Sequence, residues 1–211
     1  MQPHTVLNSQ SMLSSLAYLS EADSDLADLY AQLGPPPLWD RTPGFPTLVH
    51  IILEQQVSLA SARAAFEKLK SASGTVTPAS FLQYSDEELK TIGFSRQKTR
   101  YCRLLARAVL DGALNLENLP ELDDDSVRAA LTAVKGIGPW TADIYLLMVL
   151  LRPDTWPRGD LALAAAVQDI KQLPARPSPP ELDIIARPWQ PCRAVAARLL
   201  WFSYLRKRGL T

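Results

Sequence analysis

The sequence is poor in the side chains that build disulfide networks and transition-metal centres. It has two cysteines, Cys102 and Cys192, and two histidines, His4 and His50, in 211 residues. So few sulfur and imidazole ligands do not make a disulfide scaffold or a zinc site. We therefore expect neither a disulfide-stabilised secreted fold nor an enzyme that depends on a transition metal.

Membrane-spanning runs are also missing. No apolar run is long enough to cross a bilayer, and the N-terminus has no charged start followed by an apolar core. We therefore expect no membrane partner. The expected location is the cytoplasm, associated with the nucleoid, in a bacterium, or the nucleus in a eukaryote.

An excess of either charge is absent, because 22 Lys and Arg residues balance 22 Asp and Glu residues. DNA-binding domains are usually basic, so this total argues mildly against a nucleic-acid partner. The distribution is uneven, however. Acidic residues gather in 21–28 and 123–125, and basic ones at Arg96, Lys98, Arg100, Arg103, Arg107 and 206–208. This segregation is compatible with a basic face for DNA and equally with ordinary solvated helix surfaces.

The alternation of apolar and polar residues that marks a half-buried strand is absent throughout. Apolar residues make up 47% of the chain, and they recur at helical spacing instead. At this length we expect one large domain or two small lobes. The sequence predicts an all-α fold whose first helix begins near Ala22.

Two serine-capped helices are predicted in the first half of the chain. A helix beginning at Pro46 is predicted to bury Leu48, Val49, Ile51, Ile52 and Leu53. Ser58 then caps a helix burying Leu59, Ala62, Ala65, Phe66 and Leu69. Periodicity leaves open whether the chain breaks at Gln55 and Gln56 or continues as helix. Ser95 caps a further helix, whose predicted apolar side is Tyr101, Leu104, Leu105, Val109 and Leu110.

The most distinctive stretch runs from Leu131 to Asp160. Gly136 follows the last turn of an apolar-faced helix, at a left-handed position that favours glycine. Gly138 and Pro139 then open a second helix, because proline loses nothing by lacking an N–H there. This predicted helix–hairpin–helix, at 126–151, leaves backbone amides uncovered for an anion such as phosphate.

Asp160 follows a loop that contains Pro153, Pro157 and Gly159. An Asp directly before a helical run is a natural N-cap, which is one interpretation. A carboxylate held rigidly by capping also suits catalysis, which is the other. Asp143, one turn into the second hairpin helix, is predicted to pair on the surface of that helix.

These elements resemble a known family. The run from Lys135 to Ala142, the apolar helix after it, the Gly/Pro loop and Asp160 resemble the helix-hairpin-helix (HhH-GPD) DNA glycosylase superfamily. The string Ile-Leu-Glu-Gln-Gln-Val-Ser at 52–58 is similar to its 3-methyladenine DNA glycosylase II branch. The resemblance covers roughly residue 45 to the end.

The resemblance implies a two-lobed helical fold with its active-site cleft between the lobes and no N-terminal β-domain. A single 1–211 glycosylase domain would have lobes at about 45–150 and at 1–44 plus 151–211. It would bind double-stranded DNA containing damaged bases, as a monomer.

The resemblance also implies roles for individual residues. Asp160 would be catalytic, stabilising an oxocarbenium ion and orienting water, and Gln56 would be the wedge that fills the gap left by a flipped base. The implied base pocket is lined by Trp140 and Trp201, with Tyr145 as a further member. The implied DNA contacts are Gln55, Gln56, Lys135, Gly136, Ile137, Gly138 and Thr141. An alkali ion, K⁺ or Na⁺, would bind the backbone carbonyls of Thr132, Val134 and Ile137; no other cofactor is implied, and the four-cysteine iron–sulfur cluster of some relatives cannot form here.

One departure from the family narrows the predicted chemistry. Bifunctional members carry a nucleophilic lysine two residues beyond the second hairpin glycine, where this chain has Trp140. We therefore predict a monofunctional glycosylase of base excision repair. A lone carboxylate without a general acid suits alkylated purines of the 3-methyladenine or 7-methylguanine type, whose leaving group is already activated.

Two alternatives stay open at this point. The same mechanism could act on hypoxanthine, an ethenoadenine or a mismatched base, because Cys192 stands where the branch often has an aromatic residue. Alternatively, the chain is a DNA-binding module that has lost its chemistry.

Overall fold

The computed structural model describes residues 6–210, and within that range it contains α-helices and no β-strand. The all-α prediction is confirmed. The helices are α1 (Ser9–Ala22), α2 (Ser24–Leu33), α3 (Phe45–Glu54), α4 (Leu59–Ser73), α5 (Pro78–Gln83), α6 (Asp86–Ile92), α7 (Arg96–Leu110), α8 (Asp124–Thr132), α9 (Pro139–Met148), α10 (Leu161–Ile170), α11 (Pro179–Ile185) and α12 (Arg193–Lys207). None of the helices described is both long and apolar enough to span a bilayer.

The helices are divided between two compact units. Arg41–Tyr145 form one, which we call the hairpin unit. The described residues up to Asp40 and those from Leu146 onward form the other, which we call the Asp160 unit. Each unit is described separately below.

Helix α1 corrects the prediction that helical structure begins near Ala22. Asn8 caps α1, its Oδ1 accepting the Ser11 amide at 2.9 Å, while the Ser11 hydroxyl accepts the Asn8 amide at 2.9 Å. Met12, Leu16 and Leu19 follow at helical spacing and are buried. Six serines and glutamines in this helix obscured a stripe of only three apolar side chains, which is enough when each is buried.

Arg198 of α12 is a buried cation that holds the Asp160 unit together. Its guanidinium donates to the carbonyls of Leu38 at 2.8 Å, Ala194 at 3.0 Å and Leu147 at 2.7 Å. Burial lowers the pKa of Arg198 to about 10, with Asp40 acting in the opposite direction. These bonds fix α12 against the loop after α2 and the end of α9, and so fix the helix that carries Trp201.

Asp23 forms a second buried polar centre in the same unit. It caps α2, accepts two hydrogen bonds of 2.7 Å from Lys171, and accepts the Trp189 indole N–H at 2.8 Å. Burial acts to raise the pKa of Asp23, but the bonds from Lys171 and Trp189 outweigh burial and lower that pKa. The Asp23 carboxylate therefore stabilises the fold in its charged form.

Replacing Asp23 with asparagine should reduce the free energy of unfolding at pH 7 by about 1–3 kcal/mol, because the cap acceptor stays and the charge goes. A carboxyl with a lowered folded pKa stabilises above its unfolded pKa, near 3.9, and loses that contribution as pH falls through the folded pKa. The difference between wild type and variant, measured by urea unfolding, should therefore shrink between pH 7 and pH 3. Asp25→Asn is the matched control, since Asp25 binds the same Lys171 but is 40% exposed against 9% for Asp23. A penalty for Asp23→Asn that is independent of pH would contradict the assignment.

The hairpin unit contains the two serine-capped helices. Helix α3 ends at Glu54, and Gln56 has a left-handed φ of 57°, so the chain does break at Gln55 and Gln56. Ser58 caps α4 and Ser95 caps α7, as predicted. The predicted burial of Leu59 and Leu110 is wrong, because they are 54% and 53% exposed at the ends of their helices, where the apolar stripe leaves the core.

Candidate functional site

The predicted helix–hairpin–helix is present in the hairpin unit. Helix α8 is capped by Asp123 and α9 begins at Pro139. Between them the Ile137 N–H donates to the Val134 carbonyl at 3.0 Å, closing a turn in which Gly136 has a φ of 104°. The prediction of a left-handed glycine followed by a proline-initiated helix is confirmed.

Gly136 has a second reason to be glycine, which the sequence did not reveal. A Cβ at this position would lie 2.2 Å from Cγ of Tyr101, a residue of α7. The tyrosine side chain therefore lies directly against the hairpin backbone. By contrast, a Cβ on Gly138 would meet nothing within 4 Å, so this side of the hairpin is open.

Gln55 faces the hairpin from within the protein. Its side-chain Nε2 donates to the Gly136 carbonyl at 3.0 Å and to the Thr141 hydroxyl at 2.9 Å. The next residue, Gln56, is exposed on the turn. Of the two glutamines, Gln56 is the more exposed, which suits the predicted wedge.

The other predicted DNA contacts divide in the same way. Lys135 is exposed, whereas the side chains of Ile137 and Thr141 are buried, at 4% and 1% exposure. The prediction of a direct DNA contact is therefore corrected for the side chain of Thr141, which is buried. Gln55 is half-buried, with its side-chain Nε2 bonded to the hairpin, and its contact with DNA stays a prediction. Ile137 can offer only its backbone.

The basic side of α7 also has fewer free cations for a DNA partner than its charge suggests. Lys98 donates to the Leu53 carbonyl at 2.6 Å, and Arg103 donates to the Tyr84 carbonyl at 2.6 Å and to Asp86 at 2.8 Å. Arg96, Arg100 and Arg107 remain exposed. Two of the five cations thus serve the fold.

Asp143 corrects the prediction of a surface pair. It is 3% exposed, and Arg128 Nε donates to its carboxylate at 2.7 Å. Burial acts to lower the pKa of Arg128, but the hydrogen bond to Asp143 and the negative charges of Asp143 and Asp124 together outweigh burial and raise that pKa. Asp143 therefore joins α9 to α8 as part of the hairpin.

Asp160 lies in the Asp160 unit, at the N-cap of α10. It follows Gly159, whose φ is 76°, and its Oδ1 accepts the amides of Ala162 and Leu163 at 2.9 Å each. The Trp201 indole N–H donates to the same oxygen at 3.2 Å. The carboxylate is 8% exposed and is held in one orientation by these bonds. This arrangement is compatible with both interpretations of Asp160, as a helix cap and as a reactive group.

The three predicted pocket aromatics have different surroundings. Trp201 touches Asp160 and is 7% exposed, so the structure brings these two predicted site residues together. Trp140 is half-buried at the start of α9. Tyr145 is fully buried, and burial raises the pKa of its phenol. The prediction that Tyr145 lines an open base pocket is corrected, because its ring has no accessible surface.

The hairpin offers only backbone oxygens to a metal ion. Across residues 6–210, no group of three His, Cys, Asp or Glu side chains is placed to hold one. The Val134 carbonyl accepts one hydrogen bond from Ile137, and a carbonyl oxygen has a second lone pair. Neutral carbonyl oxygens of this kind suit an alkali ion.

Comparisons with known proteins agree with this arrangement. The 3-methyladenine DNA glycosylase of Schizosaccharomyces pombe, solved with abasic DNA, superposes with a TM-score of 0.84 at 27% identity, covering 89% of this chain and 95% of that one. A DNA-3-methyladenine glycosidase from Bacillus halodurans superposes with a TM-score of 0.75, also at 27% identity, covering 92% of this chain and 91% of that one.

Sequence relatives extend the comparison. DNA-3-methyladenine glycosylase 1 of S. pombe is 27% identical over 190 residues, which cover 88% of this chain and 83% of that enzyme. The Bacillus subtilis protein YfjP is 27% identical over 164 residues, which cover 74% of this chain but only 57% of YfjP.

The family assignment rests on a match that spans both the hairpin and the loop that leads to Asp160. The family model described as HhH-GPD superfamily base excision DNA repair protein matches residues 49–191, from α3 through α8, α9 and Asp160 to the turn before α12. The chain belongs to the HhH-GPD superfamily of base excision DNA repair proteins.

Proposed function

We propose that this protein is a monofunctional DNA glycosylase that removes alkylated purines of the 3-methyladenine or 7-methylguanine type from duplex DNA. The observation that carries the proposal is the Asp160 carboxylate, held by the α10 amides and by Trp201 in a chain of the HhH-GPD superfamily. The names of the similar glycosylases support the same substrate class.

Access to the damaged base requires flipping, because an enzyme cannot reach a stacked base, and flipping costs a few kcal/mol, less when the base is damaged. The amides of the hairpin, which is open at Gly138, bind a backbone phosphate. The exposed amide side chain of Gln56 enters the gap and hydrogen-bonds the orphaned base. The hairpin thus holds the strand while the wedge keeps the base out of the stack.

Cleavage then needs stabilisation of positive charge on the sugar. As the C1′–N bond breaks, the base leaves with the bonding electrons, which neutralise a purine alkylated at N3 or N7. The fixed Asp160 carboxylate stabilises the oxocarbenium-like sugar. Water adds to C1′ and gives up a proton, so the products are a free base and an abasic site.

Aromatic faces supply affinity for the cationic base. A positively charged ring on an indole gains roughly 1–2 kcal/mol from the cation–π interaction. Trp140 and Trp201 are the residues to which we assign this role. Cys192, in place of a larger aromatic, leaves the alternative of a hypoxanthine, ethenoadenine or mismatch substrate for experiment.

A potassium or sodium ion at the hairpin would complete the phosphate grip. The carbonyls of Thr132, Val134 and Ile137 would hold it, and the ion would supply positive charge between the backbone oxygens and a DNA phosphate.

The test is release of free base from duplexes that each carry one lesion: 3-methyladenine, 7-methylguanine, hypoxanthine, ethenoadenine or a mismatch. We expect release of the alkylated purines and intact strands before alkali treatment. Borohydride should trap no covalent adduct, because Trp140 replaces the Schiff-base lysine. A trapped adduct would overturn the monofunctional assignment, and tight duplex binding without release of any base would favour the non-catalytic module.

A further inference from the structure

We propose that Gln55 and Lys98 are positioning residues that join the Gln56 turn to the hairpin as one rigid body. The proposal rests on the function proposed above and goes beyond it by stating how the wedge is held. The consequence is that binding of a DNA phosphate by the hairpin also places the Gln56 side chain at the duplex, with no separate rearrangement of the turn.

Lys98 secures the start of the turn. Its ammonium donates to the Leu53 carbonyl at 2.6 Å, one residue before α3 ends at Glu54. The last carbonyls of a helix lack intrahelical partners and carry partial negative charge, so a cation there stabilises the helix end. Burial lowers the pKa of Lys98, as expected of an ammonium directed into the protein. Lys98 therefore supports the turn.

Gln55 secures the other end of the turn. As the C-cap of α3 it directs Nε2 to the Gly136 carbonyl at 3.0 Å and to the Thr141 hydroxyl at 2.9 Å. These two acceptors lie on either side of the Gly138–Pro139 step. Gln56 then adopts a left-handed φ of 57°, a conformation that non-glycine residues keep only when their surroundings impose it. The bonded Gln55 side chain, on the preceding residue, is one such restraint.

Helix α7 connects the contacts of Lys98 and Gln55. Lys98 binds the end of α3, and one turn later Tyr101 of the same helix lies against Gly136. Gln97 donates to the Tyr101 hydroxyl at 2.7 Å, which fixes the ring. Leu53 is bonded to Lys98, Tyr101 of the same helix packs on Gly136, and Gly136 is bonded to Gln55. Because these contacts form a closed loop, neither the turn nor the hairpin can shift without breaking one of them.

If the turn is already ordered in the free protein, DNA binding does not have to offset the entropic cost of ordering it. Without the Gln55 or Lys98 bonds, the turn should relax in the free protein. The hairpin would still bind phosphate, but the wedge would enter the duplex less often. The loss should therefore fall on base flipping and spare duplex affinity.

The experiment compares Gln55→Met and Lys98→Met with wild type on a duplex carrying 2-aminopurine beside an abasic-site analogue. Fluorescence reports unstacking, and titration gives the dissociation constant. We expect both variants to bind this duplex within about threefold of wild type and to lose most of the fluorescence increase. On a second duplex, which carries a single alkylated purine, they should release base about tenfold more slowly under single-turnover conditions. Gln56→Ala provides the reference for a missing wedge. Lys90→Met, which removes an exposed ammonium of α6, is the matched control and should behave as wild type.

Several outcomes decide the matter. Unchanged fluorescence and base release in both variants would overturn the proposal. So would losses of affinity, fluorescence and melting temperature in equal proportion, which indicate a merely structural role. If wild type unstacks 2-aminopurine but releases no base, the proposed function fails, and the fluorescence of the two variants still decides the positioning role.

Discussion

Replacing Asp160 with asparagine is expected to lower the single-turnover rate of base release by about 10²–10³-fold, because a preorganised charge beside the developing cation is lost. Asparagine keeps an oxygen to cap α10 and to accept the Trp201 N–H, so the fold and duplex affinity should be retained. The rate is measured as alkali-labile strand breaks in a duplex with a single alkylated purine.

Asp169→Asn is the control for this prediction, since Asp169 lies on the same helix and pairs with Lys207. It should keep the wild-type rate. If Asp160→Asn also retained more than half of that rate, the carboxylate would be a cap and nothing more. Equal losses in both variants would indicate damage to α10 rather than to the chemistry.

Replacing Gly136 with alanine should reduce the free energy of unfolding by about 2–4 kcal/mol, through backbone strain and overpacking together. Its φ of 104° disfavours any side chain, and the added Cβ would lie 2.2 Å from the Tyr101 ring. The duplex dissociation constant should also rise at least tenfold, since the hairpin amides would move. Urea unfolding and fluorescence anisotropy measure the two effects.

Two further variants separate the backbone strain at Gly136 from the steric clash with Tyr101. Gly112→Ala places alanine at a left-handed φ of 72° with nothing within 4 Å, so it should cost only about 1 kcal/mol. Tyr101→Ala combined with Gly136→Ala should recover part of the loss, giving a non-additive double-mutant cycle. Strict additivity would show that the tyrosine ring does not restrict the hairpin.

The hairpin and the helix starts were predictable because their determinants are local. Gly136, Gly138 and Pro139 specify a turn and a helix start through φ and a missing N–H alone, and Ser58 and Ser95 cap their helices within three residues. The order of these signals, followed by Asp160, also sufficed to identify the family.

The remaining features depend on partners that are distant in the sequence. Arg198 donates to Leu38, 160 residues away, and Gln55 to Gly136, 81 residues away. No spacing rule marks a buried arginine or an inward-facing lysine such as Lys98 in advance. For the same reason Gln55 and Thr141 resembled DNA contacts, although the fold uses their polar atoms internally.

The most direct test of the account is chromatographic detection of the base released from methylated duplex DNA by wild type and by Asp160→Asn at saturating enzyme. The account predicts free 3-methyladenine from the wild type, and release about 10²–10³-fold slower from a variant that still binds the duplex. Equal release by the two proteins would contradict it, as would the absence of release by a wild-type protein that binds the damaged duplex.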